Sequence, residues 1–495
     1  MRVKPLARIL AEGSDHEHGL KRSLGPWALT AMGIGAIIGT GIFVLTGVAS
    51  ATRAGPSLTI SFVLAGIVSA LAALCYAEVS SKIPISGSAY TYTYATMGEF
   101  LAWIVGWGLV FEYALGAATV SVGWSGYFTF ILHTLFNLNI PQMWQHSHWD
   151  AMPGIANLPA AAIILLITAL LVRGTKESGT VNAVIVTIKV LVVLFFIVIG
   201  VQHINPANYH LPPGPQSGLG GYFPFGWAGT LGGAAFMFFA YIGFDAVSTT
   251  AEEARNPARD LPFGIIMSLV ICTVLYIVVA AILDGMVPFY TLNVAFPVAF
   301  AADSVGLAWA GVIISFGAIA GLTTVLLVMM YGQTRIFYAM SRDGLIPPSF
   351  TKLHPVWRTP VFSQIFFGVL IAAAGAFFPI SILGSATNMG TLTAFVLVAV
   401  AVPVLRKRHP NLTGAFTLPF GPYLIPVFSA LSALVLIYFL KVGNPLVWGF
   451  FPLVWLAFLT WLVIGLIFYF SYGRNKSTVA LEEVEGLAPA QPRVN

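Results

Sequence analysis

Long apolar runs separated by short polar breaks dominate the chain. They begin near Trp27, Ser57, Glu99, Leu158, Val181, Trp227, Pro262, Val305, Val361, Ile382, Pro422 and Trp448, each bounded by Gly, Pro or charge. A membrane-crossing helix takes about 20 apolar residues, whereas a barrel strand alternates every second residue over about ten. These runs are too long and too evenly apolar for strands, so the pattern predicts an all-α integral membrane protein with twelve transmembrane helices. The starts also repeat. Trp27, Ser57, Glu99 and Val181 are followed by Trp227, Pro262, Val305 and Ile382, at offsets of 200, 205, 206 and 201 residues. Five spans recurring as five spans predict an inverted repeat, because an odd number brings the second unit into the membrane from the opposite face. A 6+6 division is the alternative; similar breaks in the first helix of each unit favour 5+5. The organisation read from this is a tail over 1–26, repeats over 27–205 and 227–405, two further helices over 422–472 and a tail over 473–495.

Charge orients the spans. The N-terminal tail carries Arg2, Lys4, Arg8, Lys21 and Arg22. Alternate connections then carry Lys82; Arg173 and Lys176; Arg255 and Arg259; Arg335, Arg342, Lys352 and Arg358; and Arg406, Lys407 and Arg408. The C-terminal tail adds Arg474, Lys476 and Arg493. Against these twenty, the other side has Arg53 and Lys441, with Lys189 inside a helix. The positive-inside rule puts both termini in the cytoplasm of a multi-pass protein of the plasma membrane.

Composition agrees. Charged residues make up 8% of the chain and hydrophobic ones 58%, against roughly a quarter charged in soluble domains. The net charge of +5 belongs to the topology and is no sign of a nucleic-acid partner. Cys75 and Cys272 both lie in apolar runs and read as packing residues, without a disulfide framework or thiolate cluster. The first 26 residues mix both signs of charge and lack a small-residue cleavage site, so the segment from Trp27 is expected to be retained. The acidic, Pro- and Ala-containing stretch after Tyr472, with Glu482, Glu483 and Glu485, reads as disordered.

Two spans are interrupted. The first contains Gly39-Thr40-Gly41, about 12 residues or roughly 18 Å past Trp27, near the bilayer midplane. Glycines ease unwinding, and the N–H groups opening a second half-helix suit a carboxylate; close packing through small residues is the alternative. The sixth span holds Gly243 and Asp245 in FFAYIGFDAVS. A break there exposes carbonyls that attract an ammonium, so the pair can hold both ends of a zwitterion. Asp245 either titrates, pairs with another helix or caps the second half-helix.

Glu112 lies about 11 residues, or roughly 16 Å, beyond Leu101, and Lys189 about eight residues, or roughly 12 Å, beyond Val181. A charge at such depth costs at least about 2.5 kcal/mol, so each is expected to face a cavity or a partner. Lys189 is either a fixed structural cation or a group that exchanges its proton as its surroundings open and close. Glu112 either organises its helix or faces substrate. Glu78 and Asp284, near span ends, are expected in solvated or interfacial positions. His146 and His148 form a weak His-x-His pair in an outer loop, and no metal site is expected. A Gly-x-Ser-x-Gly elbow, His-Glu-x-x-His and a P-loop are absent, so the chain does not read as an enzyme.

The motifs KRSLGPWALTAMGIGAIIGTGIFVLTG from Lys21, GWGLVFEY from Gly106, FFAYIGFDAVSTTAEEARNPARDLPFGI from Phe238 and GQTRIFYAMSRDGLIPP from Gly332 resemble the amino acid–polyamine–organocation superfamily. Within it they resemble the cationic amino acid transporter branch, in its bacterial twelve-helix form, over residues 21–472. The resemblance implies the leucine-transporter fold, with helices 1, 2, 6 and 7 rocking against helices 3, 4, 8 and 9. It implies a substrate carboxylate at the backbone of Thr40 and Gly41, an ammonium on carbonyls of Ile37, Phe239, Ala240 and Ile242, and Phe239 as a lid. It also puts the Lys189 ammonium near Ser315, where sodium-coupled relatives hold a cation, which argues for proton coupling without a further cofactor. Glu112 is the candidate selector of a cationic side chain, and Lys189 and Asp245 are the candidate coupling residues. The expected activity is import of cationic or small neutral L-amino acids by proton symport. An exchanger without net proton movement is the main alternative, and a nontransporting sensor or channel a lesser one. Membrane lipids are expected partners, and a small membrane partner is compatible with the sequence.

Overall fold

A computed structural model describes residue 2 and residues 24–83, 88–150, 152–174, 179–245, 247–248, 254–412, 414, 416–447 and 449–480. Lys4, Arg8, Lys21, Arg22, Lys176, Trp448, Glu482, Glu483, Glu485 and Arg493 lie outside these, as does the motif stretch 249–253. The helices are α1 (Pro26–Ile37), α2 (Leu58–Lys82), α3 (Ser88–Thr96), α4 (Glu99–Phe136), α5 (Leu158–Arg173), α6 (Gly179–Gly200) and α7 (Gly226–Met237). They continue as α8 (Pro257–Met286), α9 (Pro297–Ser304), α10 (Ala308–Arg342), α11 (Val361–Phe377), α12 (Ile380–Arg408), α13 (Leu424–Phe439) and α14 (Leu453–Phe468). A two-stranded antiparallel hairpin, β1 (Leu446–Val447) and β2 (Phe451–Pro452), pairs Val447 with Phe451. Among the described residues, seven helical stretches are long and apolar enough to cross a membrane, and α1, α5, α11 and α13 are shorter apolar helices. An apolar helix starts within five residues of each predicted place. The largest offsets have local causes: α8 extends back to Pro257 through a polar first turn, and Pro452 caps α14.

Local chemistry sets several ends. Pro26 opens α1, where its missing N–H costs nothing. Asn157 accepts from Ala160 N at 3.1 Å to cap α5. Gly55, at φ +60°, turns the chain into Pro56 and α2.

The centre is built by α4, which packs against α10 and α12, and by α8, which packs against α1 and α2. Small residues permit the crossings. A Cβ built on Gly264 of α8 would lie 2.8 Å from Leu29 Cβ of α1. Against the far side of α4 lies an aromatic stack, with Trp107 and Trp461 centroids 4.5 Å apart. Each indole N–H of that pair donates to the other's carbonyl, at 2.7 and 2.8 Å, fastening α14 to α4.

Polar clasps close both ends. At the end that carries most of the described basic residues, Glu78 of α2 accepts from Lys82 Nζ at 2.7 Å, from Arg406 Nε at 2.7 Å and Nη2 at 2.6 Å, and from Leu418 N at 2.9 Å. Glu78 is fully buried, so its expected solvated position is corrected: α12 and the segment after it supply what water would have supplied. Asp284 is also buried, at the opposite end, where Ser50 Oγ donates to it. Arg53, expected in an outer connection, is inserted into the protein. It donates to Val442 O at 2.7 Å and Ser385 Oγ at 3.1 Å and lies 4.1 Å over the Phe236 ring.

Candidate functional site

The first break opens where α1 stops at Ile37. Ile38 is extended, at φ −72° and ψ 104°, and the chain resumes at Gly41 as a half-helix over residues 41–54, wound partly in wide π turns. Ending α1 at the centre of the protein leaves carbonyls without intrahelical partners. Tyr276 Oη of α8 donates to Ile37 O at 2.8 Å, and Lys189 Nζ of α6 donates to Gly35 O at 2.8 Å. On the far side, Tyr127 Oη donates to Phe43 O at 2.6 Å, and Thr46 Oγ1 to Gly41 O at 2.8 Å.

The second break follows α7. A single tight turn over Phe238–Tyr241 ends at Ile242, extended at φ −59° and ψ 134°, and Gly243 takes φ +118°, which a side chain would resist. The Asp245 carboxylate accepts from Gly243 N at 3.3 Å, and Ser248 Oγ donates to Asp245 O at 2.5 Å. Asn388 of α12 serves the last turn of α7, donating to Ala235 O at 2.8 Å and Phe236 O at 2.9 Å.

The two breaks touch. Gly41 packs directly on Ala240, with no room for a Cβ, and a Cβ on Gly243 would lie 2.8 Å from Ala36 O. Beside them is a cavity of about 140 Å³. Gly35 and Ala36 of α1, Ile242, Gly243 and Asp245 at the second break, Glu112 of α4 and Val325 and Met329 of α10 line it. Its wall is mainly apolar, with two carboxylates, Glu112 and Asp245, presented to one space. Glu112 is 2% exposed, and its Oε2 has no hydrogen-bond partner.

Of the predicted contact residues, Ile242, Glu112 and Asp245 line this cavity, while Ile37, Thr40, Gly41, Phe239 and Ala240 are buried alongside and absent from its wall. The Ile37 carbonyl, expected to receive an ammonium, already accepts the Tyr276 hydroxyl. Thr40 Oγ1 is buried with no hydrogen-bond partner. Lys189 is 1% exposed and stands between α1 and α10, its stem against Gly321, where a Cβ would lie 3.0 Å from Lys189 Cε. Ser315, expected beside the ammonium, donates to Gly311 O of its own helix at 2.7 Å. Sequence reasoning missed Tyr113, Thr324, Val325, Val328 and Met329 of the wall. The last four share one face of α10 by helical spacing, a signal hidden because every face of that helix is apolar.

Two broken helices around a buried cavity, with no metal-binding cluster among the described residues, suit carriage of a small solute. A family model described as amino acid permease matches residues 24–471. The chain is 45% identical over 476 residues to the methylthioribose transporter of Bacillus subtilis (strain 168), covering 96% of this chain and 98% of that protein. It is 47% identical over 484 residues to the branched-chain amino acid permease BcaP of the same organism, with the same coverage. With the vacuolar cationic amino acid transporter 4 of Arabidopsis thaliana it shares 41% identity over 404 residues, 80% of this chain and 65% of that one. The relatives are membrane transporters, not enzymes, and this chain, matched along nearly its whole length, belongs to the amino acid permease family of the amino acid–polyamine–organocation superfamily.

Proposed function

We propose that the protein is a proton-coupled importer of L-amino acids in the plasma membrane, working by alternating access. In this reading twelve spans form a 5+5 inverted repeat with two further helices, and both termini are cytoplasmic. The observation that carries it is the Lys189 ammonium on Gly35 O, half a turn before the first break. An ammonium there favours one arrangement of α1, and losing its proton removes that preference, so proton movement and helix movement are linked. The cavity is lined from α1 and the second break, on the side of α1's N-terminal half, and corresponds to an inward-facing pathway. Its apolar wall suits an aliphatic or thioether side chain, consistent with the names of the two Bacillus subtilis relatives. Glu112 and Asp245 line the same cavity, where a substrate ammonium or a cationic side chain would meet them.

The test is uptake of a panel of labelled amino acids, with methylthioribose, into proteoliposomes under an inward proton gradient, a sodium gradient or neither. Accumulation driven by protons alone is expected. Uptake that requires preloaded amino acid would replace symport with exchange and leave Lys189 as a structural cation.

A further inference from the structure

The basic end holds a second cavity, of about 390 Å³, between the C-terminal ends of α5 and α10 and the loop entering α11. Arg173, Arg335 and Arg358 meet there with Tyr331, Trp357 and Gln364. Among the described residues no carboxylate lines it, and none of the three arginines forms an ion pair. With no counter-charge among the described residues, three gathered cations repel one another, and an anion joining them relieves that repulsion.

Arg335 and the loop that carries Arg358 are held in position. Arg335 lies 4.3 Å over the Tyr331 ring, and its Nη2 donates to that residue's hydroxyl at 2.5 Å. Arg358 has φ +52°, a left-handed conformation costly for a residue with a side chain and concentrated at ligand sites. The loop around it is fixed: Arg358 N donates to His354 O at 2.9 Å, and Thr359 Oγ1 donates to Val172 O of α5 at 2.7 Å. Gln364 is 4% exposed, yet its Oε1 has no hydrogen-bond partner. It is an acceptor in want of a donor.

The surroundings say which anion. On the same loop Leu353, Val356 and Trp357 are 49%, 78% and 43% exposed. Apolar and aromatic side chains displayed beside arginines mark headgroup depth in a bilayer, and basic pockets between helices at that depth take anionic headgroups. We propose that this cavity binds the phosphate of an anionic glycerophospholipid, held by Arg173, Arg335 and Arg358, with Gln364 Oε1 accepting from a headgroup hydroxyl. Inorganic phosphate has the same anionic chemistry and is the competing source.

The test is native mass spectrometry of the full chain, delipidated in detergent, with added phosphatidylglycerol, phosphatidylcholine or orthophosphate. Phosphatidylglycerol should be retained over phosphatidylcholine by at least about tenfold. The triple variant Arg173→Ala/Arg335→Ala/Arg358→Ala should erase that preference, and Arg408→Ala, an exposed arginine outside the cavity, should keep it. If the triple variant is not monodisperse, Arg173→Gln and Arg335→Gln singly should each lower the preference severalfold. Gln364→Ala should remove any discrimination between phosphatidylglycerol and phosphatidic acid, which lacks the headgroup hydroxyls. Equal retention of the first two lipids, or a preference that survives loss of the arginines, overturns the proposal. Saturation by orthophosphate with indifference to phosphatidylglycerol overturns the lipid as the source.

Discussion

Lys189 and Arg53 are both buried cations at the C-terminal end of a half-helix, and among the described residues neither is paired with a carboxylate. Lys189 reaches Gly35 O near the end of α1, while Arg53 occupies the last turn of the half-helix over 41–54. A cation is favourable at either place, because unpaired carbonyls give a helix C-terminus negative character. What holds them differs. Arg53 has a carbonyl, a hydroxyl and an aromatic face, a fixed socket for a group that stays protonated. Lys189 has one carbonyl acceptor and a small-residue groove, and its ammonium is of a kind that can give up a proton. In the proposed mechanism the same electrostatic problem is therefore solved once permanently and once reversibly.

The comparison breaks most sharply at Lys189. Lys189→Met should reach the membrane and bind substrate but lose proton-driven accumulation by about a hundredfold, equivalent to about 2.7 kcal/mol, as read by proteoliposome uptake. Full accumulation would make both cations structural. Lys189→Arg sharpens the contrast: it keeps a charge beside Gly35 O but holds its proton, so residual uptake should lose its dependence on external pH, measured over pH 5–8 (roughly the range of physiological proton gradients). At the other cation, Arg53→Met should lower thermal stability by about 1–3 kcal/mol, because Val442 O and Ser385 Oγ lose their donor. Its uptake should keep the wild-type pH profile, and a shifted profile would show that Arg53 also takes part in coupling. The smallest effect is expected from Tyr276→Phe, which deprives Ile37 O of one hydrogen bond worth about 0.5–1.5 kcal/mol. A change in substrate Kd of up to about tenfold, measured by scintillation proximity, would show whether that carbonyl competes for the ligand.

Helix positions and both breaks were legible in the sequence, because long apolar runs and mid-run glycines are local signals. So was the burial of Lys189, since its depth follows from counting residues. Partners were not legible. Glu78 near a span end gives no hint that Arg406, more than three hundred positions away, will enclose it, and Arg53 in an apparent connection looked exposed because its socket is assembled from α7, α12 and the segment before β1. The helices α3 and α9 were missed for another reason. SAYTYTYAT alternates polar and aromatic residues, and PVAFAADS is too short to register as a run, so tertiary packing decides both.

Asn388 does for the second break what solvent would do in an open chain, and this has a mechanical corollary. By gripping two successive carbonyls at the foot of α7, it couples the travel of α7 to that of α12. Swinging the two apart would strip both bonds at once, whereas bending below them strips neither. The flexure of this limb is thereby displaced to the six residues from Phe238 to Gly243, and α7 and α12 should travel as one lever arm whose fulcrum is a glycine.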